Sequence, residues 1–242
     1  MDSAFARNRR FYDPLWAAAQ LIPPQRFNTW RMIRRLLPPA GGARLEIGPG
    51  LRPRLPLADS DFLDASPAAA AVLRAAGGRA VVGSADALPY RSGMFGLIVA
   101  LDVIEHVADD AAAFAELTRV AAPGAALVLS VPLDPARWSR FDEAVGHCRR
   151  YRIEELGGAL ARLGWRVEAS ASFGLRPRLP GLAAAGMWML AHHPERAMWW
   201  YNRLLPRALR RQQRLATVPG LAVPARRTDE VLLIARLQTT SR

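Results

Sequence analysis

Short apolar runs alternating with helical stretches set the pattern of the central part of the chain. In Arg44–Ile47, Leu45 and Ile47 flank Glu46, and the run ends in Gly48-Pro49-Gly50. Such alternation suits a strand packed on both faces, and the glycines let the backbone turn with no Cβ in a ligand's way. Asp61 to Asp64 reads as a second strand ending in an acid, 14 residues past Gly50. Ala80 to Val82 is a third, followed by Gly83-Ser84-Ala85-Asp86-Ala87-Leu88-Pro89. Phe95 to Leu101, Ala126 to Val131, Trp165 to Phe173 and Glu230 to Leu237 complete the set. Helices are expected between them: Pro67 to Ala76, closed by Gly77-Gly78; a stretch from an Asp109-Asp110 cap to Ala121, burying Phe114, Leu117 and Val120; and Ile153 to Gly164. Strand and helix in alternation predict a parallel sheet with right-handed crossovers.

The flanks differ. In residues 1–40, Pro14 to Leu21 and Arg26 to Leu37 read as two short helices separated by Pro23-Pro24. The second is amphipathic, with Phe27, Trp30, Ile33 and Leu37 against Arg31, Arg34 and Arg35. Pro132 to Tyr151 is expected to be a long loop at the carboxyl end of the fifth strand, where ligands of open sheets bind. Residues 175–228 are an insertion before the last strand, carrying Trp188, Trp199 and Trp200, with Pro206 breaking its helical pattern. The chain thus reads as one domain: 1–40 a helical lid, 41–174 a ligand-binding core, 175–228 an insertion or cap, and 229–242 the final strand and tail.

Composition adds less. With 242 residues and 51% apolar, the chain can bury a substantial core. The net charge of +12 would suggest a polyanion partner, but all 33 basic residues are arginine and alanine is abundant, the mark of a GC-rich genome. The exception is the insertion, where eight arginines and no acid lie between Arg196 and Arg227. With its tryptophans, that stretch is either a solvated face, a substrate cap or a membrane-surface contact over residues 182–227. Cys148 is the one cysteine, expected as a small core residue, so no intramolecular disulfide can form. The N-terminus lacks a signal-like apolar region, and Leu182 to Ala191 is too short to span a bilayer; a cytoplasmic location follows, with peripheral contact at the inner membrane as a variant.

The glycine turn admits two ligand readings. A dinucleotide fingerprint needs a third glycine where this chain has Pro53, and Arg52 and Arg54 crowd the helix start. The acidic-strand form Glu46-x-Gly48-x-Gly50 instead resembles motif I of the class I S-adenosylmethionine-dependent methyltransferases. Asp64, Asp86, Asp102-Val103-Ile104-Glu105-His106-Val107 and the Pro123-Gly124 turn follow in the order of its small-molecule, methyltransferase type 11-like branch. The resemblance covers roughly residues 44–131. It implies a Rossmann-like α/β fold: a seven-stranded, mostly parallel sheet with helices on both faces and an antiparallel last strand, joined here to an N-terminal helical lid and an insertion. Phe11-Tyr12-Asp13 resembles the aromatic start of such a lid. The chain departs from the family at Phe95-Gly96, where an acid usually follows the Phe, and a local stability cost is expected.

By the same resemblance the cofactor is S-adenosylmethionine. Glu46 would orient the glycine turn or the methionyl amine, and Gly48 and Gly50 would let the backbone approach the methionyl part. Asp64, with Ala65 beside it, would hold the ribose. Asp86 and Ala87 would meet the adenine, and Leu101 and Asp102 the sulfonium side. Methyl transfer asks for alignment and, from a hydroxyl, for removal of a proton. His106 and His147 are the candidate bases. Arg149 and Arg150 would hold an anionic substrate group, or else pair with Glu154 or Glu155. No metal is expected, because His192-His193 are adjacent and point apart.

The expected activity is methylation of a small, aromatic or lipid-like molecule at a hydroxyl or carboxyl oxygen. Three other classes stand against it: a cofactor-binding or membrane-associated protein without turnover, a nicotinamide-dependent oxidoreductase, and a nucleic-acid methyltransferase. The last usually carries an Asp/Asn-Pro-Pro-aromatic run after strand four, absent here, so no nucleic-acid partner is expected.

Overall fold

The computed structural model describes residues 4–39, 42–173, 185–186, 188–189, 192–210, 214–224 and 228–239. Its strands are β1 (Arg44–Ile47), β2 (Asp61–Asp64), β3 (Arg79–Val82), β4 (Phe95–Leu101), β5 (Ala121–Pro132), β6 (Trp165–Phe173), β7 (Val218–Pro219) and β8 (Glu230–Leu237). They form one sheet in the order β3-β2-β1-β4-β5-β8-β6-β7. β1 to β5 pair in parallel, and β8 runs antiparallel between β5 and β6. The seven expected strands are all present. The eighth, two-residue β7, lies inside the insertion and pairs with the edge strand β6.

Alternate side chains of each strand go to opposite faces, so the sheet has two cores. Leu45, Ile98, Leu127 and Leu233 pack on one face with Phe114, Leu117, Leu156 and Leu160. The latter come from α4 (Asp110–Val120) and α6 (Ile153–Arg162). Phe62, Leu97, Val99 and Val128 pack on the other with Leu73 and Ile33, from α3 (Pro67–Ala75) and α2 (Trp30–Leu36). α3 opens on Ser66, whose Oγ accepts from the Ala69 N–H, with Pro67 at its first position. Asp109 caps α4 in the same way through the Ala112 N–H.

Four local expectations change. α1 spans Ala4–Ala18, starting ten residues before Pro14 and carrying that proline inside, while Pro24–Arg26 forms a 3-10 turn and α2 begins only at Trp30. The segment 132–151 is not a plain loop. It holds α5 (Arg140–Val145), which begins on a reciprocal capping box between Ser139 and Asp142 and ends on Gly146 at φ +80°. α7 (Pro194–Arg210) runs through Pro206 rather than breaking there. A proline within a helix forfeits one main-chain bond, and the length of the flanking helix outweighs that loss. Most of the Leu182–Ala191 run, and part of the arginine-rich stretch, lie outside the described residues. No described helix is long and apolar enough to cross a membrane.

Candidate active site

A cavity of about 460 Å³ opens over the carboxyl ends of β1, β2 and β4. Its floor is the turn after β1. Gly48 (φ +63°) and Gly50 (φ +53°) both adopt the left-handed conformation. A Cβ on Gly48 would lie 2.5 Å from Val103, and one on Gly50 would lie 2.3 Å from the Trp16 ring. Gly48 lines the cavity; Gly50 lies beneath Trp16 and acts through its N–H, which donates to Asp64 Oδ2 at 2.8 Å.

The two acids of this turn are buried and have different tasks. Asp64 Oδ1 accepts from the Ser66 N–H at 2.8 Å, so both its oxygens are fixed by backbone donors while the residue faces the cavity beside Ala65. Burial pushes its pKa up to about 6, against the two hydrogen bonds. Glu46 accepts from the Arg54 N–H at 2.9 Å and the Leu55 N–H at 2.8 Å, tying down the chain beyond the glycines. Burial raises its pKa to about 7. Arg52 and Arg54 also line the cavity, and Arg52 Nε and Arg54 Nη1 are buried without a partner. Arg52 stands between the rings of Trp16 and Tyr201, and Arg54 lies 3.5 Å from the centre of Phe27.

Asp86 is in the cavity wall; Ala87 is exposed and outside it, with Ala85 on the wall in its place. Leu101 and Asp102 form the wall after β4. Asp102 has φ +55°, unusual for a residue with a Cβ, and its Oδ1 accepts from Ser130 Oγ at 2.6 Å. α1 closes the far side with Asn8, Tyr12 and Trp16. Asp13 on the same helix accepts from Ser66 Oγ at 2.5 Å, docking α1 onto the start of α3.

His106 and His147 meet, their ring centres 4.6 Å apart. His106 lines the cavity, with Nδ1 beside Asn8 Nδ2 at 2.9 Å and the Gly146 carbonyl at 3.3 Å. Burial and then His147 lower its pKa to about 3, so it is neutral over the working pH range and a weak acceptor for a proton. His147 lies behind it, off the cavity wall, with Nδ1 2.8 Å from Asp142 Oδ1. Cys148, half-buried, docks this segment through its N–H to the Glu105 carbonyl at 2.7 Å.

The two arginines after Cys148 are not directed at a substrate, nor at Glu154 or Glu155. Arg149 pairs with Asp110 and donates to the Ala108 carbonyl. Arg150 donates to both oxygens of Asp142, at 2.9 and 3.1 Å, and to Asp229 at 3.0 Å. α5 places Asp142 where it gathers Ser139, His147 and Arg150 at once, an outcome that depends on an element read from the sequence as loop.

Residues 47–129 match the model of the family described as methyltransferase domain. A stretch of 48 residues is 48% identical to norajmaline N-methyltransferase of Rauvolfia serpentina, covering 20% of this chain and 16% of that enzyme's length. Among solved structures, the chain resembles a S-adenosylmethionine-dependent methyltransferase of Thermotoga maritima at TM-score 0.58 and 16% identity, over 96% of this chain and 91% of that one. One from Mesorhizobium loti gives TM-score 0.53 and 20% identity, over 86% and 97%. A phosphoethanolamine N-methyltransferase of Haemonchus contortus, solved with S-adenosylhomocysteine, gives 0.56 and 14%, over 98% of this chain and 60% of that one. At these identities the likeness is one of fold.

Proposed function

We propose that this chain, which over residues 47–129 belongs to the methyltransferase domain family and has the fold of the class I S-adenosylmethionine-dependent enzymes, methylates a small molecule at a hydroxyl or carboxyl oxygen. The observation that carries the cofactor part of this reading is the presence of Asp64 and of unpartnered buried arginine nitrogens in one cavity. Asp64, held by two N–H donors, keeps lone pairs for both hydroxyls of a ribose. Arg52 Nε and Arg54 Nη1 suit the carboxylate of a methionyl tail, in place of the usual glycine-rich helix start. Asp86 suits an adenine amino group. When bound, S-adenosylmethionine supplies an electrophilic methyl carried on a sulfonium.

The chain's own residues then have three tasks. α1 acts as a cover, Tyr12 and Trp16 excluding water from the reacting end. Leu101 and Asp102 flank the sulfonium side. His106, neutral and anchored at Nδ1, positions the substrate. A carboxylate substrate enters ionised and needs no base; a hydroxyl must lose a proton.

The exposed side of α7 supports an apolar or aromatic substrate, and peripheral contact with a membrane surface. Trp199, Trp200 and Leu204 are each about half exposed, and Arg203 lies 4.6 Å from the Trp199 ring centre. Location at the cytoplasmic face of a membrane follows from this reading.

The test is calorimetric titration with S-adenosylmethionine and S-adenosylhomocysteine, then transfer of labelled methyl to a panel of phenols, aliphatic alcohols and carboxylic acids. Micromolar binding with transfer to an oxygen acceptor is expected. Binding without turnover on any acceptor would favour a cofactor-binding protein, and no binding would refute the reading.

A further inference from the structure

We propose that Glu105, His106 and His147 form a binding site for one divalent transition-metal ion beneath the substrate end of the cavity. One ring nitrogen from each histidine and one carboxylate oxygen of Glu105 lie within 4.8 Å of one another. His147 Nε2 and Glu105 Oε1 are 3.8 Å apart. Ligands about 2.0–2.2 Å from a common ion stand roughly 3.0–3.5 Å from each other, so side-chain rotations of about 1 Å close the set.

A second, independent feature points to a ligand. Glu105 is 1% exposed, and neither carboxylate oxygen has a hydrogen-bond partner. A carboxyl group so placed costs a few kcal/mol unless something meets it. Burial is the largest effect on it, and of the charged groups acting on it Asp102 and Asp142 are acids and Arg150 is a cation, its own main-chain N–H giving a weaker opposing contact. Arg150 is already committed to Asp142 and Asp229. A dication answers both the orphaned oxygens and the excess of acid.

The surrounding bonds also orient the ligands. His147 Nδ1 is 2.8 Å from Asp142 Oδ1, so donation to that carboxylate leaves Nε2, the nitrogen nearer Glu105, with its lone pair free. His106 Nδ1 lies 2.9 Å from the Asn8 side-chain amide and 3.3 Å from the Gly146 carbonyl; with the Asn8 amide turned to present its oxygen, Nδ1 donates and Nε2 is free in turn. Two imidazoles and one carboxylate suit Mn, Fe, Co, Ni or Zn over Mg or Ca. His106 is part of the cavity wall while Glu105 and His147 lie behind it, so the His106 side is where such an ion would meet the substrate space. An oxygen of a hydroxyl substrate bound there would lose its proton more easily. This identifies a hydroxyl next to a second oxygen, such as a catechol or a hydroxy acid, as the fitting substrate class; that part alone rests on the reading above.

The site itself is tested without turnover or cofactor. The full chain is treated with chelator, then titrated with Co²⁺ while visible absorption and the ring-proton NMR signals of the four histidines are followed; Mn²⁺ is titrated in parallel by loss of its free EPR signal. One ion per chain is expected, with paramagnetic shifts at His106 and His147 and none at His192 or His193. Glu105→Gln and His147→Gln should each weaken binding at least 100-fold, and Asp142→Asn, which removes the anchor of His147, roughly 10- to 100-fold. His192→Gln should change nothing. No stoichiometric binding of either ion to the wild-type chain, or binding unaltered in both glutamine variants, overturns the proposal. If Glu105→Gln fails to fold, the His147 variant and the ring-proton shifts decide the matter. Cofactor binding with no metal would leave the methyltransferase reading intact and sink this one alone.

Discussion

Asp64→Asn is the substitution from which most can be learned. The wild-type carboxylate accepts one backbone N–H on each oxygen, from Gly50 and Ser66. An asparagine must present its NH₂ to one of those donors, leaving it unpaired in a buried place at about 1–3 kcal/mol. It also surrenders the charge that would assist bonds from two ribose hydroxyls. The unpaired donor lowers the stability of the folded chain, while the lost charge-assisted bonds to two hydroxyls predict a loss of about 2–4 kcal/mol in affinity for S-adenosylhomocysteine, or roughly 30- to 1,000-fold. The pH dependence is more diagnostic than the magnitude. Burial lifts the Asp64 pKa from 3.8 to about 6. Ribose hydroxyls favour the ionised form, so wild-type affinity should be flat above pH 6 and fall about tenfold per unit below it. Stability runs the other way. A carboxyl with a raised pKa contributes its stabilisation fully below pH 3.8 and loses it as pH rises through 6, a swing of about 3 kcal/mol. Calorimetry and urea unfolding between pH 4 and 8, on wild type and Asp64→Asn, separate the two trends. Equal slopes in both proteins, or an affinity unchanged from pH 8 to pH 5, would refute this account of the ribose site.

Three further substitutions probe the frame of the site. Glu46→Gln removes a group whose pKa rises from 4.5 to about 7; the wild type should lose about 3 kcal/mol relative to the variant as pH climbs from 4.5 past 7, read as the difference between two denaturation series. Gly50→Ala forces a side chain into the left-handed region and against Trp16, for about 1–3 kcal/mol of unfolding free energy, and Trp16→Leu in the same chain should restore part of it. Arg150→Met strips Asp142 and Asp229 of their shared cation and should cost about 3–5 kcal/mol in urea unfolding, whereas Arg152→Met, at an exposed pair with Glu155, should cost less than about 1 kcal/mol.

The parts legible in the sequence are those governed by local pattern. β4, β6 and β8 have the expected bounds because their apolar runs face two cores, and Pro67 and Asp109 announce their helices by chemistry alone. The turn from Glu46 to Gly50 was readable because glycine is needed at two positive φ values within three residues. α5 was not, although Ser139-x-x-Asp142 is the pattern of a capping box; the helix is only six residues long, too short for a helical period to show. The partners of Arg149 and Arg150 were beyond reach, since Asp110 and Asp229 come from distant parts of the chain. The same holds for the meeting of Glu105 with His147. In the sequence the conspicuous histidine pair is the adjacent His192 and His193, while the residues that converge are brought together by the Cys148–Glu105 main-chain bond. Asn8 was invisible as a wall residue because α1 was expected to start at Pro14.

Arg52 lies between Trp16 of α1 and Tyr201 of α7, its guanidinium 5.3 and 4.5 Å from the two ring centres. Nearby, Asn202 accepts from the Gln20 N–H and donates to the Ala18 carbonyl, closing the end of α1. Two helices from opposite ends of the chain are therefore riveted to each other and to the residue that faces the cofactor space. For α1 to move away from the cavity, either these contacts must break or α7 must move with it. A contact that involves no reacting atom would then bear on how fast a ligand enters and leaves, and anything that engages the exposed tryptophans of α7 would bear on it too.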